Sequence, residues 1–242
     1  MKIKFFVLLM IFTITAILGQ DSSQTFLSLK QTGVEEFIKQ HPEYDGRGTI
    51  VFIFDTGIDM GIEGLTKTST GETKVIDVQD FTGQGELPVY EADTDEEDDV
   101  LYFVNEDKNM KVKGAGKLSL KPADDDYFIG VFDEKLLMNS GSRAADLNGN
   151  GNDEDKYFFV VFNTTEGYPV VYFDTDGDGD LSDEKPIRNY KENQDAFFVA
   201  NDGLVQLYMG LNIHLENKMV SFHFDDGGHG THCAGIAAGN RI

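Results

Sequence analysis

The sequence contains a single cysteine, Cys233, among 242 residues, so no internal disulfide framework can hold the fold. Positive charge is scarce as well: 20 Lys and Arg against 43 Asp and Glu leave a formal net charge of −23. A field of that sign repels phosphate, which argues against nucleic acid and anionic membrane surfaces as partners. Beyond the amino-terminal stretch, no apolar run approaches the ~20 residues of a bilayer span. At 40% apolar and 12% aromatic residues the chain is nonetheless too hydrophobic for a disordered acidic tail. Its length suits one domain, or one domain with a large insertion, around a sizeable core.

Residues 1–19 read as a signal peptide. Lys2 and Lys4 form a basic start, Phe5 to Leu18 form an uncharged apolar run, and Ala16 and Gly19 supply small residues before Gln20. A secreted, periplasmic or cell-surface location follows, with no stable membrane span once the signal is removed. No cysteine lies near the cleavage region, so a lipid-modified amino terminus is not expected.

The rest divides into three segments. In residues 20–80, Thr32 to His41 is expected to be a short helix, with Thr32 and Glu35 at capping-box spacing and Val34, Phe37 and Ile38 on one face. Thr49 to Phe54 (TIVFIF) is a continuous apolar run, as in a strand buried on both faces of a parallel sheet. It leads into Asp55-Thr56-Gly57. In residues 81–225, short aromatic and β-branched runs recur between acidic turns: Leu101–Val104, Tyr127–Phe132, Tyr157–Phe162, Val170–Phe173, Ala196–Ala200 and Met219–Phe224. They predict a mainly antiparallel β module. Residues 226–242 turn to small residues and predict a helix over Gly227 to Asn240, closed at Gly239 and Asn240. The expected fold class is therefore α/β, a partial parallel sheet interrupted by a β-rich insertion.

Two segments carry chemistry: Ile53-Phe54-Asp55-Thr56-Gly57-Ile58-Asp59 and Gly228-His229-Gly230-Thr231-His232-Cys233-Ala234-Gly235. An aspartate after a strand is a weak signal alone. In this order the two closely resemble the aspartate and histidine blocks of the subtilisin-like serine proteases. The resemblance makes Asp55 the orienting carboxylate and His229 the general base, the pairing that a weakly nucleophilic serine hydroxyl needs. His232 and Asp59 are read as structural. Cys233 lies one helical turn after His229 and is read as a buried thiol behind the base, not as a papain-like nucleophile.

The resemblance narrows further. Thr32-Gly33, His41-Pro42-Glu43-Tyr44-Asp45-Gly46-Arg47-Gly48, Thr73-Lys74-Val75-Ile76-Asp77, Phe81-Thr82-Gly83-Gln84-Gly85 and Arg188-Asn189-Tyr190-Lys191-Glu192 resemble the tripeptidyl-peptidase II subgroup. So does the long insertion between Asp55 and His229. The resemblance implies hydrolysis of peptide bonds in a peptide or protein substrate. It also places the family's nucleophilic serine and oxyanion-hole asparagine after the histidine helix, so the 242-residue chain is expected to be inert alone.

The acids cluster in 91–99, 124–126, 146–155 and 174–184, which hold nearly half of them and no Lys or Arg. Asp174, Asp176, Asp178, Gly179 and Asp180 match the first half of an EF-hand-like loop. Position twelve is Lys185, so Asp183 or Glu184 would have to close a shorter loop around a structural calcium ion. Asp146, Asn148, Asn150, Gly151 and Asn152 repeat the pattern. Glu91 to Asp99 lacks a ligand-like glycine and is read as a solvated loop. These loops support a second reading, a calcium-binding extracellular interaction module on a catalytically dead protease remnant.

Overall fold

The computed structural model describes residues 29–139, 146–201 and 204–240; the expected signal peptide lies outside them. The chain forms two compact units, divided after Ile50.

The first unit carries helix α1 (Val34–Gln40). Its N-cap is Gly33 in the left-handed conformation (φ 80°), not Thr32, whose hydroxyl donates to the Leu29 carbonyl at 3.1 Å. A glycine at that angle turns the chain into the helix by itself, so the capping box is not formed. Val34, Phe37 and Ile38 are exposed, and His41 stacks on Tyr44 at 5.4 Å between ring centroids.

Among the described residues, the second unit has ten strands in two sheets, with every strand pair antiparallel. They are β1 (Glu86–Pro88), β2 (Tyr90–Glu97), β3 (Val100–Asn105), β4 (Met110–Lys113), β5 (Tyr127–Asp133), β6 (Lys156–Asn163), β7 (Pro169–Phe173), β8 (Ala196–Asn201), β9 (Leu204–His214) and β10 (Met219–His223). A four-stranded sheet runs β1-β10-β9-β8 and a six-stranded sheet β4-β3-β2-β5-β6-β7. Short helices α2 (Lys135–Asn139) and α3 (Tyr190–Asn193) lie in the connections, and α4 (His229–Ala238) follows the last strand.

Strand period explains the layering. Along β6, Tyr157, Phe159 and Val161 face the four-stranded sheet, whereas Val160 and Phe162 face the other way. The first set joins Phe132, Phe173, Phe197, Leu211 and Phe222 in the core between the sheets. The second set joins Phe103, Ile129 and Tyr172 in a second core on the outer face of the six-stranded sheet. The loop from Gly114 to Leu120 covers that face, and its Ser119 hydroxyl and Leu120 N–H meet the Tyr172 hydroxyl at 2.8 and 2.9 Å.

The six runs expected as strands are all strands. The expected solvated loop at Glu91–Asp99 is instead most of the β2–β3 hairpin. Asp98 and Asp99 both take positive φ (52° and 63°) in its two-residue turn, a conformation that aspartate tolerates. Lysines offset the acids on β2: Lys111 pairs with Glu97 and Lys218 with Glu91.

The expected parallel sheet is not found among the described residues. Thr49 to Phe54 pairs with no strand, and Phe52 and Phe54 are each 76% exposed. A parallel strand needs partners brought alongside by crossover connections, and every strand pair in both sheets here is antiparallel. Phe52, Phe54 and Phe81 instead pack ring against ring along the surface, at 6.4 and 5.6 Å.

Candidate active site

Asp55 and His229, 174 residues apart, are brought to hydrogen-bond distance. The imidazole Nδ1 lies 2.6 Å from Asp55 Oδ1, which also accepts the Thr56 N–H at 2.8 Å. The carboxylate is the more sheltered partner, its side chain 17% exposed against 69% for the imidazole. The His229 hydrogen bond, then the Thr56 N–H, lowers the carboxyl below its ordinary range. The same bond, reinforced by the carboxylate charge, raises the imidazole above its ordinary value. The pair therefore favours a proton on His229 and a charge on Asp55, leaving Nε2 as the atom that can exchange a proton.

Two glycines let the segments meet. A Cβ on Gly230 would stand 2.2 Å from the Gly57 carbonyl oxygen, and one on Gly57 would stand 2.0 Å from the Phe224 carbonyl oxygen. The glycines of the two motifs are thus required by close backbone contact of the Asp55 loop with α4 on one side and with Phe224, just after β10, on the other.

Polar ties complete the junction. Thr56 Oγ1 accepts the Gly230 N–H (2.9 Å) and donates to Asp225 Oδ1 (3.0 Å). In the opposite sense, Thr231 Oγ1 accepts the Asp59 N–H (2.8 Å) and donates to Asp225 Oδ2 (2.5 Å). Asp225 also accepts the Gly228 and Thr231 N–H groups at 2.9 and 2.8 Å, at the start of α4. Sequence reasoning missed Asp225. Its signal was an acid four residues before the histidine, just ahead of a helix amino terminus, where a carboxylate is favoured.

Asp59, read as structural, accepts the Gly61 N–H at 2.8 Å. His232 is exposed. Cys233 is half-buried, not buried, because the outer side of the first turn of α4 faces solvent. Its Sγ lies 3.8 Å from His229 Nδ1, and burial, then the Asp55 bond and charge, raise the thiol pKa. A thiol held neutral is a poor nucleophile, which disfavours a cysteine–histidine reading. Gly239 is the C-cap of α4, as expected, in an extended conformation (φ −59°, ψ 151°) with its N–H on the Gly235 carbonyl, and the Asn240 N–H donates to the Gly64 carbonyl at 2.9 Å.

Of the expected metal ligands, Asp174, Asp176 and Asp178 present carboxylate oxygens within 4.8 Å of one another. Asp174 is buried, and burial with the neighbouring acids pushes its pKa up to about 6. The Asp180 carboxylate is drawn away: it pairs with Lys113 and accepts the Ser182 N–H at 2.9 Å. Asp183 is exposed and outside the cluster, and Glu184 accepts the Thr175 hydroxyl at 2.8 Å. At the other loop the side-chain amides of Asn148, Asn150 and Asn152 each donate to Asp155 at 2.6 Å, and Asp146 accepts the Asn150 and Gly151 N–H groups. The three amide donors there converge on the Asp155 carboxylate.

Among the described residues, no helix is long and apolar enough to cross a membrane.

No protein-family model matches the chain. Pyrolysin of Pyrococcus furiosus is 30% identical over 217 residues, covering 81% of this chain and 15% of pyrolysin. Tripeptidyl-peptidase 2 of Arabidopsis thaliana is 27% identical over 268 residues, covering 88% of this chain and 19% of that protein. The rice (Oryza sativa subsp. japonica) protein of the same name is 44% identical over a shorter stretch of 75 residues, 30% of this chain and 6% of its own length. The crystal structure of tripeptidyl peptidase 2 superposes on 87% of this chain and 20% of its own, with a TM-score of 0.58 at 21% identity. The chain thus spans less than a fifth of the length of these relatives. In sequence over most of its length it is homologous to the subtilisin-like peptidases pyrolysin and tripeptidyl-peptidase 2, and in fold it is similar to tripeptidyl peptidase 2.

Proposed function

We propose that this chain supplies the orienting carboxylate and the general base of a secreted subtilisin-like serine peptidase. The observation that carries the reading is the Nδ1–Oδ1 contact between Asp55 and His229 at 2.6 Å. In the reaction, a serine hydroxyl from sequence beyond the histidine helix gives its proton to His229 Nε2 and attacks the substrate carbonyl carbon. Asp55 stabilises the imidazolium that forms. When the tetrahedral intermediate collapses, His229 passes that proton to the departing amine. Water then hydrolyses the acyl-enzyme by the same route, restoring the serine hydroxyl.

A fluorophosphonate probe tests this. A polypeptide extended through the serine block should be labelled, and His229→Ala in that polypeptide should abolish labelling. The 242-residue chain should not react at a catalytic serine. Labelling of the extended polypeptide that survives His229→Ala overturns the reading. Export is tested by amino-terminal sequencing of the mature protein, expected to begin at Gln20.

A calcium ion held at the loop of Asp174, Asp176 and Asp178 belongs to the same proposal and also supports the second reading, an extracellular calcium-binding module. Three clustered carboxylates suit a hard divalent cation, which offsets their mutual repulsion. At the loop of Asp146, Asn148, Asn150 and Asn152, calcium binding requires the amides to turn their oxygens inward, away from Asp155. Titration calorimetry with calcium should give heat that Asp174→Asn removes; no heat, and no rise in melting temperature with calcium, rejects the ion. A stop codon after residue 242 and the absence of probe labelling would favour the binding module over the enzyme.

A further inference from the structure

The Asp55 loop and the His229 helix are joined by one buried carboxylate that neither sequence motif contains. Asp225 is 8% exposed and stands between β10 and α4. Both of its oxygens are used. Oδ1 takes the Thr56 hydroxyl and the Gly228 N–H, and Oδ2 takes the Thr231 hydroxyl and N–H. Each threonine hydroxyl in turn accepts a backbone N–H from the opposite segment, Gly230 to Thr56 and Asp59 to Thr231. The result is a reciprocal clasp: two hydroxyls from two segments, each crossing to the other and both anchored on the same carboxylate.

Placement gives the clasp its consequence. Thr56 is next to Asp55, and Gly228 and Gly230 flank His229. The Asp55–His229 bond is itself half open to water, where a single hydrogen bond holds two segments together weakly. The buried bonds to Asp225 are better placed to set the distance between the two residues. Burial raises the Asp225 carboxyl pKa, but the bonds from Thr231, Gly228 and Thr56 outweigh it and keep the group ionised. An anion at the amino terminus of α4 is also favoured by the helix dipole.

We propose that Asp225 is the positioning residue of the Asp55–His229 pair: acting through Thr56 and Thr231, it fixes the loop against the helix so that Nδ1 meets Oδ1. Its role in catalysis rests on the peptidase reading; its effect on the pair does not.

The test uses the 242-residue chain and NMR. Two quantities are read: the His229 titration midpoint and the downfield resonance of its hydrogen-bonded Nδ1 proton. Asp55→Asn sets the limit for complete loss. Asp225→Asn is expected to lower the midpoint and broaden or erase the proton signal while cross-peaks from the two sheets persist. Asp225 also acts on His229 directly through its charge, so Thr56→Val is the decisive variant. It leaves every charge in place and keeps the bonds from Asp225 to α4. It should shift the midpoint by roughly half of the Asp55→Asn change. An unchanged midpoint and proton signal in Thr56→Val overturns the proposal, whether or not Asp225→Asn folds. So does a shift in Thr56→Val with none in a folded Asp225→Asn. Failure of the peptidase reading looks different: the serine-bearing polypeptide resists the fluorophosphonate probe while the NMR coupling is intact.

Discussion

Two histidines six residues apart are pushed in opposite directions. His229 is raised by Asp55, whereas His223, buried on β10, is lowered to about 4 by desolvation, against the pull of Asp80 and Asp77. His223 Nε2 lies 3.0 Å from the Asn212 side-chain nitrogen, a contact that suits a neutral ring accepting the amide proton. Because its folded pKa is depressed, the unfolded chain takes up the proton first as pH falls. The stability it contributes is full above about pH 6.5 and is lost toward pH 4. The loss should be on the order of 3 kcal/mol, read by urea denaturation across that range, and His223→Gln should flatten the curve. An equally steep curve in the variant would exclude His223 as the cause. Cys233 carries a different expectation. In the serine-bearing polypeptide a bulky thiol reagent should slow hydrolysis, since Sγ is 3.8 Å from Nδ1. Full activity after modification demonstrated by mass spectrometry would refute it. Asp55 and His229 were legible in the sequence because their motifs are dense in glycine and hydroxyl residues. Asp225 was not, because an Asp-Asp pair before two glycines looks like any turn.

Between elements, the junction of the Asp55 loop with α4 is the most exacting contact. Gly230→Ala forces a methyl group to 2.2 Å from the Gly57 carbonyl, so the helix must move away. A loss of about 1–3 kcal/mol in thermal or urea denaturation is expected, together with a fall in the His229 midpoint. A variant that keeps both values would mean that the helix has room to yield. The same scale shows where pattern reading works. β5, β6 and β7 were legible because their residues are apolar on both faces, leaving no ambiguity of period. β2 was hidden because its outward positions are acids whose lysine partners lie on β4 and just before β10, remote in sequence. Thr49 to Phe54 was misread for the converse reason. Its composition is that of a buried strand, but composition does not supply the neighbouring strands that would bury it.

Across the whole molecule, the two sheets share one core. Phe222 of the four-stranded sheet meets Phe159 and Phe173 of the six-stranded sheet at 5.0 and 5.7 Å. Phe222→Ala should therefore destabilise both sheets together, by about 3–5 kcal/mol in a single urea transition followed by near-ultraviolet circular dichroism. Two separated transitions would show that the sheets melt independently. The row of rings at Phe52, Phe54 and Phe81 has a consequence of another kind when set beside the net charge of −23. In dilute buffer, copies of the chain repel one another before these rings can touch. The Debye length shrinks from roughly 30 Å at 0.01 M salt to about 3 Å at 1 M, and that barrier then thins to less than the size of a side chain. Colloidal behaviour should accordingly invert the usual rule for an acidic protein: static light scattering should report monomers at low ionic strength and growing association as salt is added, with Phe52→Ser and Phe54→Ser together restoring the monomer.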